Sequence, residues 1–204
     1  MRALPLAGAM LLVTTAAFGH HVHSLTFQQK MGNKCIVNIF GTPAADTLGT
    51  ATNTCHEYVL GNGGDDTLIG GTVSDTLNGG PGADLMTGNG GHDDYAYTYA
   101  SDSTVAAPDE ITDFNLAHDT IDLSAACANA SVTCTFIGNN FFTDTPGEVS
   151  FDVAQIYRCD PVTHQCGDYF LTTVHVDFDG DGWSDMDIDL DGQLNSLSAS
   201  NFVL

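Results

Sequence analysis

Aspartate and glycine recur with a fixed nine-residue spacing between positions 61 and 96. Contiguous nonapeptides begin at Gly61, Gly70, Gly79 and Gly88. In each, the sixth residue is an aspartate and the eighth is large and apolar: Asp66 and Leu68, Asp75 and Leu77, Asp84 and Met86, Asp93 and Tyr95. Calcium takes six to eight oxygen ligands, which carboxylates and backbone carbonyls supply. The spacing therefore predicts calcium ions held between glycine-rich turns that each present one carboxylate.

The same spacing predicts the elements that position these oxygens. The last three residues of a nonapeptide form a short strand with an inward apolar residue, and the first six form a turn in which glycine permits positive φ. Two nonapeptides complete one coil, so each ion lies between stacked turns. An upstream copy begins at Gly41, with Asp46 in the sixth place. Cys55, Glu57 and Val59 fit the fourth, sixth and eighth places of the irregular turn that follows.

Three positions depart from the repeat consensus G-G-x-G-x-D-x-U-x, which binds calcium in RTX proteins. Asn62 and Asn89 replace second-place glycines, and asparagine tolerates positive φ. Val73 replaces a fourth-place glycine, and valine does not tolerate positive φ, so we expect weaker binding there. The expected calcium-binding residues of the repeats are Asp46, Gly61, Gly63, Asp66, Gly70, Asp75, Gly79, Asp84, Gly88, Gly90 and Asp93.

The charge balance points in the same direction. The chain has 26 acidic and 4 basic residues, for a formal net charge of −22. Such a surface repels nucleic acid and anionic lipid, and it attracts cations. We therefore expect calcium, and no nucleic acid, among its partners.

The N-terminal residues 1–19 have the pattern of a secretory signal peptide. Arg2 gives a positive start, residues 4–13 are almost wholly apolar, and small residues at Ala17 and Gly19 favour cleavage after Gly19. The apolar run is too short to span a bilayer. The pattern predicts a secreted, extracellular protein without a membrane span.

Six cysteines follow this segment. An even number behind an export signal favours disulfides, and the close pairs of a zinc site, such as C-x-x-C, do not occur. Many pairings are open. Proximity in the sequence favours Cys35–Cys55, Cys127–Cys134 and Cys159–Cys166.

Different motifs follow once the glycine rhythm ends at Ala96. Residues 109–114 read D-E-I-T-D-F, residues 119–124 read D-T-I-D-L-S, and residues 177–185 have the form D-x-D-G-D-G-x-x-D. Alternating apolar and polar residues on both sides of the last motif predict an antiparallel hairpin. The order of the repeats and these motifs resembles the C-terminal domain of serralysin-type secreted metalloproteases.

The resemblance, which spans roughly residues 41–204, implies a parallel β-roll that runs into a β-sandwich-like cap. It also implies several calcium ions, with Asp109 and Asp113 as further ligands. The family's enzymes carry an H-E-x-x-H zinc helix in a separate N-terminal domain. The nearest match here, residues 56–60, reads H-E-Y-V-L and lacks the second histidine. Together with the absence of a serine–histidine triad, this predicts a protein without enzymatic activity.

The acidic hairpin turn is a further candidate calcium site. Four of its aspartates match positions of an EF-hand loop: Asp177, Asp179, Asp181 and Asp185. Ile188 stands where that loop needs a bidentate glutamate. A calcium site and a solvated turn both fit the sequence.

The histidines that would open the mature chain are a candidate copper site. His20, His21 and His23 lie beside the expected new terminus, and an amine with imidazoles binds copper or zinc. Histidines near a terminus are more often simply solvated.

The sequence thus predicts an all-β protein with a signal peptide at 1–19, a lead-in strand at 20–40, a calcium-binding β-roll at 41–96 and a C-terminal β region at 97–204. Its predicted function is that of a secreted, non-enzymatic calcium-binding module with a structural, adhesive or matrix-associated role. The expected partners are calcium and the extracellular matrix, the cell surface or a separate secreted enzyme. The alternatives are an accessory or diverged relative of a serralysin-type protease, and a copper-binding protein that uses His20.

Overall fold

Strands form most of the regular structure in the computed structural model, which describes residues 9–17, 22–31, 34–159 and 166–204. Side chains are described for residues 24–29, 35–158 and 166–204. The strands are β1 (Ala9–Ala17), β2 (Val22–Met31), β3 (Lys34–Phe40), β4 (Thr47–Gly49), β5 (His56–Leu60), β6 (Thr67–Ile69), β7 (Thr76–Asn78), β8 (Leu85–Thr87), β9 (Asp94–Ala96), β10 (Asp109–Ile111), β11 (Thr120–Asp122), β12 (Thr135–Gly138), β13 (Glu148–Cys159), β14 (Cys166–Asp177), β15 (Met186–Asp191) and β16 (Phe202–Val203). One helix, α1 (Ser124–Ala130), and two 3-10 turns, Ala100–Asp102 and Ala199–Asn201, complete the described elements.

The repeats wind into a roll whose successive strands alternate between two sheets. One sheet has the order β1-β2-β3-β5-β7-β9-β11-β16, and the other has the order β12-β13-β14-β15-β10-β8-β6-β4. Strands of neighbouring coils pair in parallel, for example β6 with β8 and β7 with β9. Each coil therefore contributes one strand to each sheet, as the pairing of nonapeptides predicts.

The eighth-place apolar residues form two columns inside the roll. In one sheet, Leu68 is in register with Leu48 on one side and Met86 on the other, and in the facing sheet Leu77 is in register with Tyr95. These side chains are almost completely buried. Because each column continues from coil to coil, the core is one stack rather than a set of separate clusters.

The C-terminal region extends the two sheets of the roll. β15 pairs in parallel with β10, and β14 pairs antiparallel with β15 to form the expected hairpin. Met186, Ile188 and Leu190 of β15 are fully buried, so they are the inward face of that hairpin. β16 pairs in parallel with β11 at the end of the other sheet. The predicted fold class, an all-β protein with a parallel β-roll, is confirmed. The strands of the C-terminal region pair directly with the last strands of the roll.

Two of the expected disulfides are present. Cys35 bonds to Cys55 and Cys127 bonds to Cys134. In the third expected pair, the backbone of Cys159 lies opposite Cys166 in the register of β13 and β14, and the side chain of Cys159 lies outside the described part of the chain. None of the helices in the described part is long and apolar enough to cross a membrane.

Candidate calcium-binding site

The sixth-place carboxylates stack along one edge of the roll in a ladder of hydrogen bonds. The amide of Asp46 donates to Oδ1 of Asp66 over 2.7 Å, and the amide of Asp66 donates to Oδ1 of Asp84 over 2.7 Å. The amide of Asp84 then donates to Oδ1 of Asp109 over 2.9 Å. We call these four residues the Asp84 ladder. Each carboxylate holds the amide of the coil before it, so the four acidic residues lie close together in a single row.

A second ladder runs along the opposite edge. The amide of Glu57 donates to Asp75 Oδ1 over 2.7 Å, Asp75 to Asp93 Oδ1 over 2.9 Å, and Asp93 to Asp119 Oδ1 over 3.0 Å. We call this set the Asp93 ladder. Both ladders continue from the repeats into the C-terminal region, which supplies Asp109 to one and Asp119 to the other.

The second carboxylate oxygens are the notable feature of the Asp84 ladder. Oδ2 of Asp66 and Asp84 is buried and lacks a hydrogen-bond partner. These residues are only 2% exposed. A buried carboxylate oxygen without a partner is costly, because it has lost its water without gaining a donor. Such an oxygen is a site that a cation would satisfy.

Burial raises the pKa of Asp66, Asp84 and Asp109 and of the carboxylates in the Asp93 ladder. Burial, reinforced by neighbouring carboxylates, raises the pKa of Asp66 and Asp84 to about 6 and the pKa of Asp93 to about 7. It raises the pKa of Glu57 to about 7 and that of Asp109, the most deeply buried, to about 9. Rows of buried carboxylates favour the protonated form when positive charge is absent. The same rows become stable as anions once a divalent cation lies among them.

The first-place glycines leave space beside these oxygens. A Cβ atom at Gly79 would overlap Oδ2 of Asp84, and one at Gly61 would overlap Oδ2 of Asp66. At Gly70, a Cβ would stand 2.9 Å from Oδ2 of Asp75. Glycine at these positions is therefore required for the turn to close against its own carboxylate.

The residues that depart from the repeat consensus behave differently at the second place of the repeat and at the fourth. Asn62 and Asn89 adopt positive φ values of 77° and 65°, and their side-chain amides donate to the carbonyls of Gly41 and Gly70. The expectation that asparagine takes the place of glycine there is met. Val73 does not adopt a positive φ, and neither does Gly82, the fourth-place glycine of the next repeat. The weaker calcium binding expected at that turn stays a prediction.

The remaining predicted residues take other positions. Gly63 and Gly90 lie in the stacked turns, facing the carbonyls of Pro81 and Thr72. Gly88 donates its amide to Oδ1 of Asp113, and the next amide donates to Oδ2 of Asp113. Asp113 therefore caps the last repeat turn rather than joining a ladder.

The acidic hairpin turn forms a separate cluster. Carboxylate oxygens of Asp177, Asp179 and Asp185 lie within 4.8 Å of one another. Among the described residues, this is the one group of three or more acidic, histidine or cysteine side chains whose ligand atoms all approach one another this closely. Asp181 does not join it; its carboxylate instead accepts the amide of Trp183. The structure therefore unites three of the four predicted residues.

Arg158 is the one lysine or arginine whose side chain belongs to the described set, and it pairs with Glu110 and Asp191 on the C-terminal sheet. Within the described side chains, no lysine or arginine therefore pairs with a ladder carboxylate.

The sequence of this region matches a known family. Residues 44–204 match the family described as Peptidase M10 serralysin C terminal. The chain belongs to the serralysin C-terminal family. The match covers both ladders and the hairpin turn, and it confirms the resemblance that the motifs indicate. Membership makes the chain an RTX-type calcium-binding module. The part of serralysin that the chain matches is the non-catalytic C-terminal part.

A solved structure with a similar fold is a subunit of a mannuronan C5-epimerase. The AlgE6R3 subunit of the Azotobacter vinelandii mannuronan C5-epimerase is 27% identical, with a TM-score of 0.52 over 80% of each chain. The AlgE6R2 subunit of the same enzyme is 23% identical, with a TM-score of 0.47 over 80% of this chain and 92% of that subunit. A comparison with curated proteins found no significant match.

In this serralysin C-terminal module, two residues of the Asp93 ladder are not among the ligands that the sequence predicts. Glu57 and Asp119 are both buried and take part in the Asp93 ladder. A signal for Asp119 exists, because Asp119-Thr120-Ile121 keeps the acid-x-apolar end of the repeat after the glycines are lost. Glu57 occupies the sixth place of its turn, with one more methylene than the aspartates.

The residues that resemble a zinc motif have a different role. His56 to Leu60 form strand β5, not a helix. Glu57 points into the Asp93 ladder, where its Oε1 accepts the side-chain amide of Asn53 over 2.5 Å. Two zinc-binding side chains one helical turn apart therefore do not occur in this segment.

Proposed function

We propose that the chain is a secreted, non-enzymatic module that folds around several calcium ions and has a structural, adhesive or matrix-associated role outside the cell. The observation that carries the proposal is the pair of buried Oδ2 atoms on Asp66 and Asp84, neighbours in one ladder, that lack a hydrogen-bond partner. Calcium between stacked turns would bind these oxygens together with turn carbonyls. The bound ion supplies the positive charge that the ladders lack.

Two further positions complete the proposed calcium set. The Asp93 ladder offers the same row of buried carboxylates on the opposite edge. The turn cluster of Asp177, Asp179 and Asp185 gathers three carboxylates at the end of the hairpin. We assign ions to both edges of the roll and to this turn.

Export supports the extracellular role. Disulfides persist in oxidising compartments, and Cys35–Cys55 and Cys127–Cys134 are formed. Removal of residues 1–19 as a signal would take β1 away and leave β2 as the edge strand of its sheet. The copper alternative rests on His20, which lies outside the described residues.

A module that accompanies a separate enzyme is the second candidate function. Its support is the likeness to the C-terminal part of serralysin and to a subunit of mannuronan C5-epimerase. Both relatives are parts of larger enzymes. In this role the chain would hold or position a catalytic partner, and its own fold would still require calcium.

Circular dichroism of the mature protein, with and without a calcium chelator, tests the proposal. We expect chelation to remove most of the β signal and to lower the melting temperature, because unneutralised ladder carboxylates repel one another. An unchanged spectrum and melting temperature would refute the calcium-dependent fold. The non-enzymatic part is tested separately by metal analysis and a casein assay: stoichiometric zinc, with proteolysis that His56→Ala abolishes, would overturn it.

A further inference from the structure

A cleft on the outer face of the C-terminal sheet is unrelated to the calcium ladders. Its floor is made by outward side chains of β13 and β14, including Asp152 and His175. One wall is the segment 139–142 after β12, and the other is the turn that carries Trp183. The cleft has a volume of about 300 Å³. That volume is at the lower end of the range found for small-molecule sites.

The walls present large aromatic rings to solvent. Phe141 is 95% exposed and Trp183 is 77% exposed. The loops that carry them support each other, since Gly180, at a positive φ of 77°, packs directly on Pro146. Rings left this open, on loops braced by one another, form flat apolar surfaces on which a ligand can stack.

The polar side chains of the floor are fixed in position. Nδ1 of His175 lies 2.7 Å from Oδ1 of Asp187, and Ser184 donates to the same oxygen over 2.6 Å. Nε2 of His175 lies 3.7 Å from Oδ2 of Asp152, whose side chain is 70% exposed. The contact with Asp187 therefore fixes the orientation of the His175 imidazole. The exposed carboxylate of Asp152 can accept hydrogen bonds from a ligand.

We infer that this cleft binds a neutral polysaccharide built from pyranose rings. A pyranose has an apolar C–H face, which suits the indole of Trp183, and a rim of hydroxyls, which suits Asp152, His175 and the amides of Asn139 and Asn140.

Charge decides between neutral and acidic sugars. Asp152 on the floor and Asp187 behind His175 are two carboxylates against one imidazole, and the chain has a net charge of −22. This balance is negative in either protonation state of His175, so it disfavours a uronate. The inference gives the proposed adhesive role a target, and it rests on the proposed function because Trp183 belongs to the turn of Asp177, Asp179 and Asp185.

Tryptophan fluorescence tests the inference directly, because Trp183 is the single tryptophan in the chain. The calcium-loaded mature protein would be titrated with cellohexaose, N-acetylchitohexaose and mannohexaose, with hexamannuronate as the acidic comparison. We expect a saturable shift in emission with at least one neutral sugar and none with hexamannuronate. Calorimetry should then show binding weakened about tenfold or more by Trp183→Ala and weakened also by Asp152→Ala.

Tyr157→Ala is the matched control, since Tyr157 is 73% exposed on β13 and does not line the cleft. It should bind the sugar as the unaltered protein does. Circular dichroism with and without chelator, on the same samples, reports the calcium-dependent fold separately from sugar binding. The inference is overturned if the folded protein binds none of the neutral sugars, if hexamannuronate or a casein-derived peptide binds instead, or if Trp183→Ala and Tyr157→Ala have equal effects.

Discussion

The backbone amide of Asp66 donates a 2.7 Å hydrogen bond to Oδ1 of Asp84, which lies one coil further along the chain. The other oxygen of Asp84, Oδ2, is buried without a hydrogen-bond partner. One oxygen therefore fixes the stacking of coils, while the second is left for a cation. Substitutions that keep an acceptor but remove the charge separate these two roles.

Replacing Asp84 by asparagine should weaken calcium binding without breaking the ladder. The amide oxygen of asparagine still accepts the amide of Asp66, but the charge that attracts calcium is lost. We expect at least about a tenfold loss of affinity at that site. Asp84→Ala also removes the acceptor, so at saturating calcium it should be roughly 1 kcal/mol less stable than Asp84→Asn.

Calorimetric titration measures the affinity, and Asp168→Asn is the control. Asp168 is exposed on β14 and belongs to neither ladder. Its substitution should leave the titration unchanged. Equal loss of affinity in Asp84→Asn and Asp168→Asn would contradict the assignment of Asp84 as a ligand.

The metal-free protein should be more stable in acid than at alkaline pH. Burial raises the pKa of Asp66 and Asp84 to about 6, of Glu57 to about 7 and of Asp109 to about 9. A raised pKa means that the folded state binds more protons than the unfolded chain, so stability falls as pH rises. The contribution is complete below about pH 4 and is lost progressively up to about pH 9.

Calcium should reverse this dependence, because protons compete with the ion for the same carboxylates. Melting curves between acid and alkaline pH, on protein freed of calcium by a resin and on calcium-loaded protein, measure both profiles. Parallel pH profiles in the two samples would show that the ladder carboxylates do not bind the ion.

The hairpin turn should bind one ion through three of its four aspartates. Asp185→Asn removes a carboxylate that belongs to the cluster, so we expect the calcium stoichiometry to fall by one ion. Asp181→Asn alters a carboxylate that lies outside the cluster and should leave the stoichiometry unchanged. Metal content after dialysis decides the matter. If the two variants lose calcium equally, or neither does, the three-residue site is wrong.

The disulfides should stabilise the fold only modestly compared with calcium. Cys127 and Cys134 are separated by 7 residues, and closing so short a loop contributes about 2.5 kcal/mol by chain entropy. The double variant Cys127→Ser, Cys134→Ser should therefore lose about that much and still fold in calcium. Denaturant unfolding gives the free energy, and intact mass after alkylation counts free thiols. Collapse of the fold in saturating calcium would instead make this bond essential.

The roll could be predicted from the sequence because its core and its ligands repeat in phase. Leu68 and Asp66 recur at fixed offsets, so a strand, a turn and a carboxylate row follow from one period. The ladder extension to Asp119 could not be read in this way. It depends on the C-terminal chain returning to the edge of the roll 26 positions after Asp93, through a segment that contains β9 and β10 and has no glycine repeat.

The outer cleft was also beyond the reach of the sequence. Phe141 and Trp183 lie 42 positions apart and have no shared motif. They become neighbours only because β13 and β14 pair along their whole length and bring the flanking loops to one face. Likewise, the exclusion of Asp181 from the turn cluster follows from the local fold of its carboxylate toward Trp183, which the spacing alone does not show.

The hydrogen bonds of the ladders all point the same way along the chain. Every amide is held by a carboxylate that is translated later, and the final holders are Asp109 and Asp119. In a chain that emerges amino end first, the sixth-place amide of each new coil therefore has no acceptor until the following coil has emerged. The last repeat coils wait in this way for Asp109 and Asp119, so the C-terminal region is needed to complete the roll.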